Sequence, residues 1–376
     1  MGGDGGEQLV ATIGMAGYLH DESQLRLHLG DFHPGAHGGL ELKLTVAHDA
    51  VLTATPRIGL MHRSAEKLFE ARDYRQIMML ANRHDWVSAV SSELGVALAV
   101  EQATGITPPE RGTWSRMLLA EAGRIGASAL FLAAINAPGA MELRQRWSAW
   151  QELATGGRVH PMINRIGGLE HAISDIGLTG AEDLAQSALS HIDSWLAYLD
   201  SRTDLHGLAV LGADAARDFA CSGPVGQGSG LDWDLRRDDP YLHYDQISTE
   251  WSAPVDQAGD AAARYRALVK GLLVSASIIE RCVWELQDMQ HEPISVPLPK
   301  TLRVPESTVH VWTQNPLGIA GWLLVSGGDN MPVRLKARTP SFAHLQAMPL
   351  ALPGTPTDLL GMAVASFFFV SGDADR

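Results

Sequence analysis

Cysteine is nearly absent. The 376 residues hold two, Cys221 and Cys282, and no C-x-x-C pair. This excludes a disulfide scaffold, a cysteine-rich zinc site and an iron–sulfur cluster held by this chain alone. A reducing compartment fits, and both thiols read as buried small hydrophobes. Positive charge is also scarce: 29 Lys and Arg stand against 43 Asp and Glu, a formal net charge of −14. Nucleic-acid binding needs a basic face, so no nucleic-acid partner is expected. No uninterrupted apolar run reaches the roughly 18 residues that cross a bilayer. The candidates ASALFLAAINAPGAM and MAVASFFFV are short or broken by Asn136 and Pro138. The start, MGGDGGEQLV, lacks the basic and apolar parts of a signal peptide. The expectation is a soluble chain without a transmembrane segment of its own. No G-x-S-x-G occurs, which leaves a serine-hydrolase reading unsupported. Gly226 to Gly230, GQGSG, lacks the strand–GxGxxG–helix context of a dinucleotide site, so NAD is not placed on this chain.

What is present suits a folded protein: 45% hydrophobic and 19% charged residues. The first sixty residues read as strands. Leu25, Leu27 and Leu29 alternate with polar partners, as do Leu40, Leu42, Leu44 and Val46, and Val51 to Thr55 closes a small meander with His48-Asp49 at its turn. From His62 the period changes to three and four. Val87, Val90, Leu94, Ala97 and Leu98 lead to Glu101, with Gly105 as a C-cap. Further helices are read from Ser115 to about Ala137, over MELRQRWSAWQELATGG, over GAEDLAQSALSHIDSWLAYLDSRTD with Glu182 and Asp183 in its first turn, and over AARYRALVKGLLVSASIIERCVWELQDM. After Pro293 come three strands, VHVWT, GIAGWLLVSGG and MPVRLKART, and a short final helix in LPGTPTDLLGMAVASFFFV. The fold class expected is α+β. It comprises an N-terminal antiparallel β domain (1–60), a helical bundle core (61–292) and a C-terminal mixed α/β segment (293–376). The ten tryptophans read as core and interface anchors.

The stretch from Gly30 to Gly39, GDFHPGAHGG, carries His33 and His37 four apart. On a helix they would share a face, as in a zinc site. Pro34 and the glycines argue against a helix, so the pair is placed in a loop between two strands. A loop held by a sheet is a common place to present reactive side chains. By themselves the two residues read first as local hydrogen-bonding side chains in a turn.

Taken in order, the motifs resemble those of the D-type subunit of NADH-quinone oxidoreductase, respiratory complex I, a family related to the [NiFe] hydrogenase large subunits. HPGAHG is similar to the family's HPxxHG, PRIGLMHRSAEKL to PHIGxxHRGxEKL, and NRHDWVSA to DRLDYxxx. PPERGTWSR, GRVHPMINRIGGL, CSGPVGQGSGLDWDLRRDDPYLHYDQ, TPSFAHL and the final GDADR also fall in register. The resemblance implies a hydrogenase-like fold without the metal centre, since two separate cysteines cannot hold nickel and iron as two thiolate pairs. It implies that HPxxHG is a quinone-headgroup loop rather than a metal site. His37 would be the catalytic proton donor, and His33, His37 and Trp86 would line the quinone site. Two-electron reduction makes both quinone oxygens basic, and imidazole titrates where it can donate. Arg63, Glu66, Arg111, Glu121, Arg124 and Arg165 would form a structural charged network. The resemblance further implies an iron–sulfur small subunit that supplies electrons from a [4Fe–4S] cluster, with NADH oxidised on another subunit. Other peripheral-arm and membrane-arm subunits would be partners, and the location would be peripheral, on the cytoplasmic face of the plasma membrane.

Two departures fall at the expected site. The family's tyrosine is replaced by Trp86, whose indole N–H can donate a hydrogen bond but not a proton. The family's His-Ala-Leu-Asp segment reads Ala134-Ile135-Asn136-Ala137-Pro138-Gly139 here, so His37 lacks a carboxylate partner there. The resemblance therefore points to a divergent paralogue. Its alternative is a non-catalytic structural paralogue in a related redox or membrane assembly.

Overall fold

A computed structural model describes residues 7–13, 25–28, 39–247 and 251–376. Its N-terminal sheet has the order β2-β1-β3-β4, with β1 Glu7–Ile13, β2 Leu25–His28, β3 Leu40–Ala47 and β4 Ala50–Arg57. The β3–β4 hairpin turns at His48 and Asp49, both at positive φ (51° and 59°). That is the two-residue turn whose twist suits a hairpin. Leu40, Leu42 and Leu44 face the core, as their alternation predicts. The antiparallel pairing holds through β1, β3 and β4, but the strands do not follow chain order. β1 lies between β2 and β3, and its pairing with β2 is parallel.

The helices follow: α1 Ala65–Phe69, α2 Ile77–His84, α3 Ala89–Thr104, α4 Glu110–Ala134 and α5 Ala140–Thr155. Gly105 ends α3 at φ 68°, donating its N–H to the Glu101 carbonyl. A two-residue hairpin comes next, β5 Asn164–Arg165 and β6 Gly168–Leu169. Then come α6 Asp175–Leu189, α7 Ile192–Ser201, α8 Ala213–Asp218, α9 Gly223–Gly228, α10 Leu235–Asp238 and α11 Ala261–Gln287. The fourth long helix starts earlier than its sequence suggests. Ser174 caps it through the Gly177 N–H, so Asp175 rather than Glu182 or Asp183 is the acid of its first turn, and it breaks at Ser190 before α7.

The C-terminal part holds the expected three-stranded sheet, β7 Ser307–Asn315, β8 Gly318–Ser326 and β9 Pro332–Arg338, and then α12 Pro340–Ala351, α13 Leu360–Ala365 and α14 Ser371–Ala374. The helix α12 is not among the expected elements. It is apolar on nearly every side and contains Pro349, so no helical stripe marks it.

One buried cluster joins the N-terminal sheet (Leu42, Val51), the long helices (Leu118, Ile125, Leu272) and the C-terminal segment (Phe367 to Val370). A second, around Trp322, packs α2 and α3 on β8 and β9. By length and composition α4 could cross a membrane, but 83% of its apolar window is buried inside the protein. Arg116, Glu121 and Arg124 interrupt that run in the sequence. Each is paired in the interior. Both cysteines are buried and free.

α4 meets α5 closely because Gly126 faces the Trp147 ring. A Cβ there would overlap the indole. Gly126→Ala should cost about 1–3 kcal/mol by overpacking, whereas Gly123→Ala, with nothing within 4 Å, should be neutral or slightly stabilising. Thermal midpoints of the two variants test this pair.

Candidate functional site

The tail after α13 threads into the body of the protein. Asp375 is 7% exposed. Its carboxylate accepts the backbone N–H groups of Gly59 (2.7 Å) and Met61 (2.5 Å), and the His62 imidazole donates to its carbonyl at 2.7 Å. Arg376 lies 3.4 Å from Glu66 and stacks over Phe342. The tail thereby holds the segment that follows β4. Glu41, near the start of β3, is paired opposite Arg57 at the end of β4. The chain therefore enters β3 at the end of the sheet that the tail secures.

One turn away the tail meets the end of α2. His84 is 6% exposed, and its Nδ1 donates to the Ala81 carbonyl at 2.7 Å. Its Nε2 faces Asp373 Oδ1 at 3.4 Å. A carbonyl only accepts, so Nδ1 carries a hydrogen. Nε2 and the carboxylate can then attract one another only through a further proton. Burial opposes a charged imidazole, but Asp373 outweighs it and raises the His84 pKa. Asp85 ends the helix. Its Oδ1 accepts from the N–H groups of Val87 and Ser88, while Oδ2 is buried with no partner among the described residues. Burial, then the Asp373 charge, push the Asp85 carboxyl up to about 7, against the opposing pull of His84. Trp86 is half-buried and packs on Gly372, where a Cβ would overlap its ring. Its Nε1 is buried without a partner among the described residues.

Three further carboxylates are buried and saturated. Glu93 accepts from Asn82, from the Asn164 side chain and from the N–H groups of Ile163 and Asn164, while burial raises its pKa. Glu101 forms a two-pronged pair with Arg116 (2.6 and 2.9 Å) and accepts the Gly167 N–H, while Arg116 also donates to the Arg165 and Gly168 carbonyls. Glu121 accepts from Arg124, Arg236, Tyr244 and Ser275. Burial would raise its pKa, but Arg124 and Arg236 bring it down to about 2.

The six residues expected as one charged network are not brought together. Glu121 and Arg124 join, with Arg236 and Asp234 as additional members. Glu66 instead pairs with Arg334 and Arg376. Arg63 is exposed and donates to the Arg83 carbonyl, Arg111 donates to the Gln290 and Glu292 carbonyls, and Arg165 pairs with Glu170 near the surface. The six lie on different elements: Arg63 ahead of α1, Glu66 on α1, Arg111 at the start of α4, Glu121 and Arg124 in its middle, and Arg165 on β5. Sequence reasoning misses Arg116, although PPERGTWSR contains it; it sees His84-Asp85 only as neighbours in sequence and misses the approach of His84 to Asp373. Only tertiary contact joins those two. His33 and His37 lie outside the described residues. Among the described residues no group of three His, Cys, Asp or Glu could hold a metal ion.

A family model described as the 49 kDa subunit of respiratory-chain NADH dehydrogenase matches residues 125–376. A relative in Salinispora arenicola, named as the second D-type subunit of NADH-quinone oxidoreductase, is 42% identical over 100% of this chain and 96% of its own length. One in Streptomyces coelicolor, named as the first D-type subunit of NADH-quinone oxidoreductase, is 40% identical over 97% of this chain and 98% of its own. The chain belongs to this family. The mixed fold with an N-terminal sheet, helical core and C-terminal sheet is consistent with the 49 kDa subunit.

Within this member of the complex I 49 kDa family, the buried pairs set firm expectations for stability. Arg116→Met leaves Glu101 buried without its cation and should cost about 3–5 kcal/mol; pairing it with Glu101→Leu should recover much of the loss in the same unfolding assay. Glu121 is held below its ordinary value of 4.5, so its stabilisation is complete above that pH and is lost as pH falls toward about 2. Glu121→Gln should therefore lower stability at neutral pH and flatten the acid limb of the stability curve, measured by denaturation at stepped pH.

Proposed function

We propose that this chain forms the quinone-headgroup wall of a membrane-associated NADH:quinone oxidoreductase and is not active alone. His37 donates a proton to the bound quinone, His33 is its loop neighbour, and Trp86 is a stacking or hydrogen-bonding wall. An iron–sulfur small subunit packs beside the chain and supplies electrons singly from a [4Fe–4S] cluster. NADH is oxidised on another subunit, and further peripheral-arm and membrane-arm subunits complete the machine on the cytoplasmic face of the membrane. The observation that carries this reading is the near full-length similarity to relatives named as D-type subunits of NADH-quinone oxidoreductase. It is supported by geometry. The segment bearing His33 and His37 precedes β3, whose Glu41 pairs opposite Arg57 of β4, and the tail that binds Gly59 just after β4 through Asp375 also packs on Trp86 through Gly372.

The second reading, a structural paralogue without quinone turnover, is favoured by Trp86 itself, because an indole delivers no proton. The assembled complex, purified from its native membranes, separates the two. On the first reading an iron–sulfur subunit co-purifies, quinone is reduced, and His37→Ala lowers turnover by about a hundredfold or more. Turnover unchanged by that substitution would remove His37 from the chemistry. Trp86→Tyr should raise turnover or shift quinone preference; identical behaviour with several quinones would place Trp86 outside the headgroup site.

A further inference from the structure

Reducing a quinone to a quinol takes two electrons and two protons. On the proposed reading, on which this inference rests, the iron–sulfur partner supplies the electrons and His37 one proton. The second proton needs another source, and the Trp86 indole is not one. The turn around Trp86 nevertheless has acids at hand. His84 Nε2 faces Asp373 Oδ1 at 3.4 Å, and Asp85 lies next in the chain with Oδ2 buried and unpartnered among the described residues. Ser88, whose N–H is bound to Asp85, lines a cavity of about 10 Å³ together with Trp86, Trp147 and Gln151. Ser88 Oγ, Trp86 Nε1 and Trp147 Nε1 are each buried and lack a partner among the described residues. A polar cavity of about 10–15 Å³ holds about one water, and such a water needs partners of this kind.

We propose that His84, Asp373 and Asp85 form a buried proton reservoir behind Trp86, and that Asp85 passes the second proton of quinone reduction through water at Ser88. His84 and Asp373 act as positioning residues that refill Asp85. In the step, the Asp85 O–H bond breaks and an O–H bond forms on the quinone oxygen that His37 does not serve. The Asp85 carboxylate left behind takes the proton shared by His84 and Asp373, and solvent restores theirs. Other charges around the cluster are few among the described residues. From β9, Arg338 acts on Asp373, and from α12 His344 does, its imidazole pushed down to about 4 by burial and so neutral. β8 contributes the neutral Trp322 ring, 5.4 Å from His84. The start of α3 contributes the neutral Ser88.

The test is the pH profile of quinone turnover in the assembled complex, from about pH 5.5 to 9 around the histidine range. Asp85→Asn keeps an oxygen for the Val87 and Ser88 N–H groups, so the start of α3 is retained. In wild type, turnover should fall as pH rises past about 7, where Asp85 loses its proton. Asp85→Asn should lower kcat about tenfold or more, abolish that limb and leave KM unchanged. His84→Gln should give the same loss. Ser88→Ala, which removes only one hydroxyl, should lower kcat without moving the limb, and it serves if the charged-site variants do not assemble. Profiles of Asp85→Asn or Ser88→Ala that superimpose on wild type overturn the reservoir while leaving the quinone reading intact, provided His37→Ala still lowers turnover by about a hundredfold or more. A wild-type complex that reduces no quinone overturns both.

Discussion

Asp375 binds two backbone N–H groups that no strand or helix satisfies. Gly59 and Met61 leave β4 at the point where the sheet ends, and their N–H groups would otherwise face the interior unpaired. One carboxylate answers both, and His62 closes the arrangement through the Asp375 carbonyl. With that clasp in place, the end of the N-terminal sheet, the end of α2 and the start of α12 are fixed to one another. Asp373 reaches His84 on one side and accepts the Ser341 N–H on the other. The candidate site is an outcome of this packing, since neither the sheet nor the helices alone would bring Trp86 against Gly372.

The interior repeats the same solution. Buried carboxylates are costly unless every lone pair is used. Glu101 and Glu121 use arginines and backbone or hydroxyl donors to that end, and Glu93 uses two asparagines and backbone N–H groups. Each joins segments far apart in the chain: Glu101 ties α3 to the β5–β6 hairpin, and Glu121 ties α4 to α10 and α11. The cluster of His84 and Asp85 is different. It contains an unpartnered carboxylate oxygen next to a buried imidazole that faces Asp373, and buried polar groups left incomplete in this way are typical of places that do chemistry rather than hold a fold.

Local pattern makes the strands of the β3–β4 hairpin legible, along with the Gly105 cap, α11 and the three C-terminal strands, because each carries its period or its stop signal within a short window. The motifs carry the family, which the relatives bear out. What stays hidden depends on the third dimension. β1 shows weak alternation and finds its place only between β2 and β3. α12 is buried on nearly all sides, so it has no stripe. The charged residues expected as one network separate onto different elements, and Arg116 hides inside a motif whose other letters draw the eye. The pairing of His84 with Asp373 leaves no local trace, since either residue alone looks like an ordinary solvated side chain.

The clasp also bears on how the protein comes to be folded. Gly59 and Asp375 are 316 positions apart. Contacts that close so long a loop lose entropy before they gain contact energy, so they form after the local helices and hairpins. The region around Trp86 is therefore among the last parts of the chain to take shape. A folding intermediate with most of its helices in place would still hold His84 in open water, away from the Asp373 carboxylate. The proton chemistry of the turn is thus a property of the finished tertiary structure and belongs to no fragment of it.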